Sequence, residues 1–152
     1  MPTVRRKLDL PYRSDDLFEL VSDIKRYPEF IKWIKALRVL SPEQNGFVHT
    51  CIGEAVIGFK GFTERFATHV RSNQATTTVD VALARGPFRK LQNTWTISPS
   101  SHGSELHFYL DYDFSNPVLK ALAVSNSAIA IDKIMTAFLA EAEKRYTPVS
   151  AT

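Results

Sequence analysis

Residues 106–122 read LHFYLDYDFSNPVLKAL, and the period of the chain changes in the middle of them. Leu106, Phe108, Leu110, Tyr112 and Phe114 share one parity; His107, Tyr109, Asp111 and Asp113 share the other. That is the signature of a strand with one apolar and one wet face, on which Asp111 and Asp113 read as solvated. Asn116-Pro117 then supplies an N-cap and the imino acid that suits a first helical position. Neither Gly nor Pro follows until Pro148, so a helix of about 30 residues, roughly 45 Å, is expected up to Tyr146. Val118, Leu122, Ile129, Met135, Phe138, Leu139 and Ala142 make its expected apolar face.

Working back toward the N-terminus, five more strands are expected, over 36–43, 47–59, 62–72, 75–85 and 88–98. Turn residues separate them: Glu43-Gln44-Asn45-Gly46, Lys60-Gly61, Asn73-Gln74, Gly86-Pro87 and Ser100 to Gly103. Six strands in series, each joined to the next by a short turn, form an antiparallel meander. Residues 3–12 read as one further strand. After it, Ser14 is the expected N-cap of a short amphipathic helix over 15–26, with Leu17, Leu20, Val21 and Ile24 on one face. Tyr27-Pro28 is expected to break that helix, and PEFIKWI to add one more turn. The fold class is α+β: a curved six- to seven-stranded antiparallel sheet around a long C-terminal helix, with one or two short helices after the first strand.

One helix cannot fill the concave side of such a sheet, so the remaining space is either core or a pocket. Phe62, Phe66, Val81, Leu83, Trp95, Phe108, Leu110 and Tyr112 have the inward parity. With Leu119 and Leu122 from the helix they are the candidate lining of an apolar site, and each reads equally as ordinary core. Glu64 shares the parity of Phe62 and Phe66. A carboxylate facing inward must pair or protonate, so it either anchors a ligand's head group or meets an internal partner such as Arg89. Asn93 also has the inward parity. An opening is expected under Val118, Leu119, Leu122 and Ala123.

The composition narrows the functional classes. A chain of 152 residues with 44% hydrophobic and 23% charged residues is one globular domain over 1–152, not a disordered or fibrous chain. Nineteen Lys and Arg against 16 Asp and Glu give +3, which is weak evidence for nucleic acid, and no DNA partner is expected. The single cysteine, Cys51, fits a reducing compartment. The N-terminal MPTVRRKLDLPY carries no targeting pattern, and no apolar run reaches the ~20 residues of a membrane span. A cytoplasmic protein is expected, with peripheral contact at the inner face of the membrane. Lys32, Trp33 and Lys35, and again Arg85, Phe88 and Arg89, set cations beside aromatics; they suit anionic head groups or RNA phosphates, and also read as solubilising surface. His49, His69, His102 and His107 lack metal-ligand spacing, Gly58–Gly61 lacks P-loop spacing, and no nucleophile elbow is present. No catalytic residue, metal or required cofactor is expected, and the chain does not read as an enzyme.

Three segments carry a resemblance. DLFELVSDIKRYPEFIKWI, GPFRKLQNTWTISP and LHFYLDYDFSNPVLKAL are similar, in that order, to the signature stretches of the coenzyme Q-binding START-like family. That family has the helix-grip fold, lies within the polyketide cyclase and lipid transport superfamily, and includes bacterial ribosome-association toxins. One departure is Ile34 after Trp33, where many members have Cys. The resemblance implies an isoprenoid quinone such as ubiquinone, or a related polyprenyl lipid, held in an apolar cavity by a non-enzymatic carrier that supports respiratory electron transfer. It also implies two alternatives: an inhibitor that binds ribosomal subunits, and a polyketide cyclase or aromatase.

Overall fold

A computed structural model describes residues 3–59 and 61–149, and at 59, 62 and 122–128 it describes the backbone alone. The element order is β1 (Thr3–Leu10), α1 (Ser14–Ser22), a 3-10 turn (Ile24–Arg26), α2 (Tyr27–Phe30), β2 (Ile34–Asn45), β3 (Val48–Phe59), β4 (Phe62–Asn73), β5 (Thr78–Arg85), β6 (Phe88–Ser100), β7 (Gly103–Phe114) and α3 (Pro117–Arg145). The seven strands make one antiparallel sheet in the order β1-β7-β6-β5-β4-β3-β2. The meander forms as the turn residues dictate, and β1 closes it beside β7, pairing Thr3 with Asp111 and Leu10 with Ser104. This is the architecture that the resemblance implies.

The helices differ in detail from the expectation. Ser14 is the first residue of α1 and caps nothing. Its hydroxyl lies 2.8 Å from that of Ser104, a fully buried group that also donates to the Tyr12 carbonyl at 2.7 Å. A buried hydroxyl demands partners, and that demand outweighs the weaker reward of an exposed cap. Nor does Tyr27-Pro28 break a helix. The break comes at Asp23, and Pro28 sits in the first turn of α2, where its missing N–H costs nothing. The 3-10 turn lies close on the sheet at Gly53, where a Cβ would come within 2.9 Å of Ile24 Cδ1.

At the start of α3 the Asn116 side chain accepts from the Val118 and Leu119 N–H groups, as its position predicts. The expected apolar face is only partly correct. Ile131, Met135, Phe138 and Ala142 are buried, whereas Val118 and Ile129 are 56% and 58% exposed. The buried stripe is set by 131, 135, 138 and 142. Residue 129 lies two positions, some 200°, away from Ile131, and at the first turn Leu119 is buried instead of Val118. No helix among the described residues is long and apolar enough to cross a membrane.

The core gathers at one end of the sheet. Leu17, Leu20 and Val21 of α1 meet Trp95, Ile97, Leu106 and Phe108 of the sheet and Met135, Phe138 and Ala142 of α3. Phe138 stands edge-on to Tyr27 and Phe30 and packs against Trp95, with ring centroids 4.8–5.3 Å apart. Only about 10 Å³ of space remains between these groups, about the least that could admit one water.

Candidate functional site

Four adjacent strands change character at the same level. On β5 the inward row passes from Val79, 1% exposed, to the half-buried Val81 and Leu83. On β6 it passes from Ile97 and Trp95 to the half-buried Asn93 and Leu91, and on β7 from Leu106 and Phe108 to the half-buried Leu110. On β4 the half-buried Phe66 and Glu64 continue the strip beyond the buried Val70 and Thr68. The carboxyl-terminal half of α3 therefore seals one end of the sheet, while beyond it a half-open apolar strip lies toward the first turns of α3.

Aromatic rings line the outer end of this strip. Phe66 is edge-on to Phe88 at 5.2 Å, Phe88 stacks on Phe114 at 4.6 Å, and Phe114 meets Tyr112 at 5.9 Å. Gly86 makes the arrangement possible. Its φ of 148° suits glycine, and a Cβ there would come within 2.4 Å of Phe66 Cβ. Phe114 and Leu91 had the inward parity in the sequence; the signal for their place in the strip was the Gly86-Pro87 turn, which brings the start of β6 beside the end of β7.

The residues expected to line a cavity divide between the two ends. Phe66, Val81, Leu83, Asn93, Leu110, Tyr112 and Leu119 lie in or beside the open strip, and Tyr112 and Leu119 are buried there. Trp95 and Phe108 do not line a cavity; each is 4% exposed and they pack edge-on to each other in the sealed core. The side chains of Phe62 and Leu122 lie outside the described residues. Asn93 is committed internally: it donates to the Tyr109 carbonyl and accepts from the Trp95 indole, both at 2.8 Å. Glu64 is half-buried, with no hydrogen bond or ion pair among the described residues. Arg89, its expected internal partner, reaches toward Asp113 instead.

The two aspartates of β7 are not solvated. Asp113 is 2% exposed, with Lys120 Nζ 3.4 Å from Oδ1 and Arg89 Nε 3.9 Å from Oδ2. Oδ1 accepts no hydrogen bond. Asp111 is covered by its neighbour: Lys90 Nζ is 2.5 Å from Oδ2, and Thr3 donates to Oδ1. The Lys90 hydrogen bond holds the Asp111 carboxyl below its ordinary range. Strand parity placed both groups on the outer face correctly, but it could not show that β1 and the first turns of α3 would cover them.

Antiparallel pairing brings both basic clusters to the edge where the strip opens. Phe59 pairs with Phe62, Ala67 with Arg85 and Phe88 with Phe114, and the Gly58 N–H bonds the Trp33 carbonyl. Lys32 and Lys35 are exposed on one side, and Trp33 is half-buried against the core. Arg85 and Arg89 are 63% and 69% exposed on the other, with Phe88 between them in the aromatic row. Arg85 shares Glu54 with Arg38.

The family model for polyketide cyclase/dehydrase and lipid transport matches residues 10–139. The chain is 37% identical over 132 residues to the ribosome association toxin RatA of Rickettsia prowazekii, covering 85% of this chain and 88% of that protein. It is 24% identical over 140 residues to the mitochondrial coenzyme Q-binding protein coq10 of Schizosaccharomyces pombe, covering 90% and 84%. The solution structure of the 18 kDa protein CC1736 from Caulobacter crescentus superposes with a TM-score of 0.81 at 35% identity, covering 95% of this chain and 97% of that one.

Proposed function

The chain belongs to the polyketide cyclase/dehydrase and lipid transport family, and from that premise we propose that it carries an isoprenoid quinone, or a related prenyl lipid, in the strip beneath the first half of α3. The observation that carries this reading is the coordinated change from sealed to half-open rows on β4 to β7, ending in the Phe66–Phe88–Phe114 row. A flat ring and a branched chain fit such a surface. At ~0.8 kcal/mol per buried CH₂, a few isoprene units offset the freedom lost on association. Glu64, with no partner among the described residues, is the polar group available to a quinone oxygen; it would accept from a quinol or, protonated, donate to a quinone. The basic groups beside the opening would hold the chain at an anionic bilayer while the tail moves. The mechanism is sequestration and delivery without turnover, and the role is support of respiratory electron transfer; the coq10 relative, named for coenzyme Q binding, supports it.

The test is mass spectrometry of an organic extract of the protein purified from a quinone-containing bacterium. A prenyl quinone near one per chain, lost on Leu110→Glu, is the expected result. A protein that is empty and also refuses added ubiquinone overturns the reading.

A second reading, association with ribosomal subunits, is favoured by the relative named for it at 37% identity. Co-sedimentation of the chain with purified subunits distinguishes it from the first.

A further inference from the structure

The outer face of the sheet, opposite the apolar strip, holds an open groove of about 440 Å³ across β1, β7 and β6. Arg5, Lys7, Thr94, Thr96, His107 and Tyr109 face it, whereas Arg6 and Phe108, paired across the ladder, carry the inward parity. Its two cations are Arg5 and Lys7; Glu105 pairs with Lys7 and His107 at one end, and Asp80 accepts from Thr94. We propose that this groove binds single-stranded RNA, a reading that gives the ribosome association its contact surface and rests on it.

The chemistry matches a nucleotide group by group. The Arg5 guanidinium lies over the Tyr109 ring at 4.9 Å and has no carboxylate partner among the described residues. A guanidinium held over an aromatic ring leaves its far side to a base, and bases are free to stack there in single strands. Lys7, two residues along β1 from Arg5 and on the same face, stands where the sugar–phosphate chain would run. Its present partner, the half-buried Glu105, lies 3.5 Å away. Surface pairs of this kind are worth little and exchange readily for phosphate. Thr96 has a hydroxyl with no partner among the described residues, so it can meet a 2′-hydroxyl or a phosphate oxygen. A bilayer would need apolar groups to insert. Phe108, whose side chain packs in the core against Trp95, offers none to the groove.

The experiment measures fluorescence anisotropy of a labelled oligouridylate about a dozen nucleotides long, with co-sedimentation on ribosomal subunits run in parallel. Binding should weaken with added salt. It should fall about tenfold or more in the Arg5→Gln/Lys7→Gln variant, which alters only exposed side chains, and clearly in Tyr109→Leu. Arg85→Gln/Arg89→Gln, on the other edge, should stay within about twofold. Absent binding, or binding indifferent to Arg5→Gln/Lys7→Gln, overturns the groove. If subunits still pellet that variant as well as the unmodified chain, the ribosome reading stands and the groove falls. If oligouridylate binding needs the groove yet no subunit pellets the chain, the groove stands and the ribosome reading falls.

Discussion

Asn93 shows how far a single residue can be read from its neighbours. Its inward parity was legible in the sequence, but its role depended on the Trp95 indole two residues away and on the Tyr109 carbonyl across the ladder. Asn93→Leu removes both partners at once, and an orphaned polar group under partial burial costs about 1–3 kcal/mol. Urea unfolding should register that loss with little change in m-value. Glu64 is the converse case. With no partner among the described residues, Glu64→Leu should leave stability within about 0.5 kcal/mol while weakening capture of ubiquinone relative to a hydrocarbon of similar size, measured by competitive extraction. For Asp111 the sign follows from Lys90, whose hydrogen bond depresses the folded carboxyl. That stabilisation is present above the unfolded carboxyl value and is lost as pH falls through the folded one. Lys90→Met should therefore move the acid-unfolding midpoint to higher pH, by an amount that shrinks in salt because the Lys90 ammonium is exposed. Equal midpoints at low salt would mean that the pair contributes nothing.

The elements were more legible than their ends. The strand pattern, the turns and the uninterrupted run after Asn116-Pro117 identified all seven strands and α3, because period and turn chemistry are local properties. The face of α3 was not legible in full: a helix is hydrophobic enough on several sides that only its contacts fix the stripe at Ile131, Met135, Phe138 and Ala142. The level at which the sheet opens was equally hidden, since parity distinguishes inside from outside and says nothing of depth along a strand. Two phenylalanines show this difference in depth. Phe138 packs among Tyr27, Phe30 and Trp95 in the sealed end, and Phe138→Ala should cost about 3–5 kcal/mol of unfolding free energy. Phe88 stacks at the open end, where half-burial limits the cost of Phe88→Ala to about 1–2 kcal/mol. Ubiquinone retention should rank the other way, with Phe88→Ala losing ligand and Phe138→Ala keeping it in whatever fraction remains folded. Similar stabilities for the two variants would place the core elsewhere.

For the whole molecule, the distribution of charge decides which surface meets which partner, and +3 overall conceals it. At the opening of the strip Lys32, Lys35, Arg85 and Arg89 are exposed, whereas on the outer face Lys7 sits near Glu105. A carrier that exchanges a prenyl tail with a bilayer must present its opening to the lipid, since the tail cannot cross water at low cost. Charges near an anionic surface contribute ~1 kcal/mol each, so removing two should weaken binding by about thirtyfold at low salt. Flotation with phosphatidylglycerol vesicles should then show this loss for Lys32→Gln/Lys35→Gln and for Arg85→Gln/Arg89→Gln. Arg5→Gln/Lys7→Gln, on the opposite face, should float as the unmodified chain does, and all should stay down with purely zwitterionic lipid. Equal losses in the three variants would mean that the chain senses the membrane by net charge alone, with no preferred edge. The quinone would then have to reach the strip by another route.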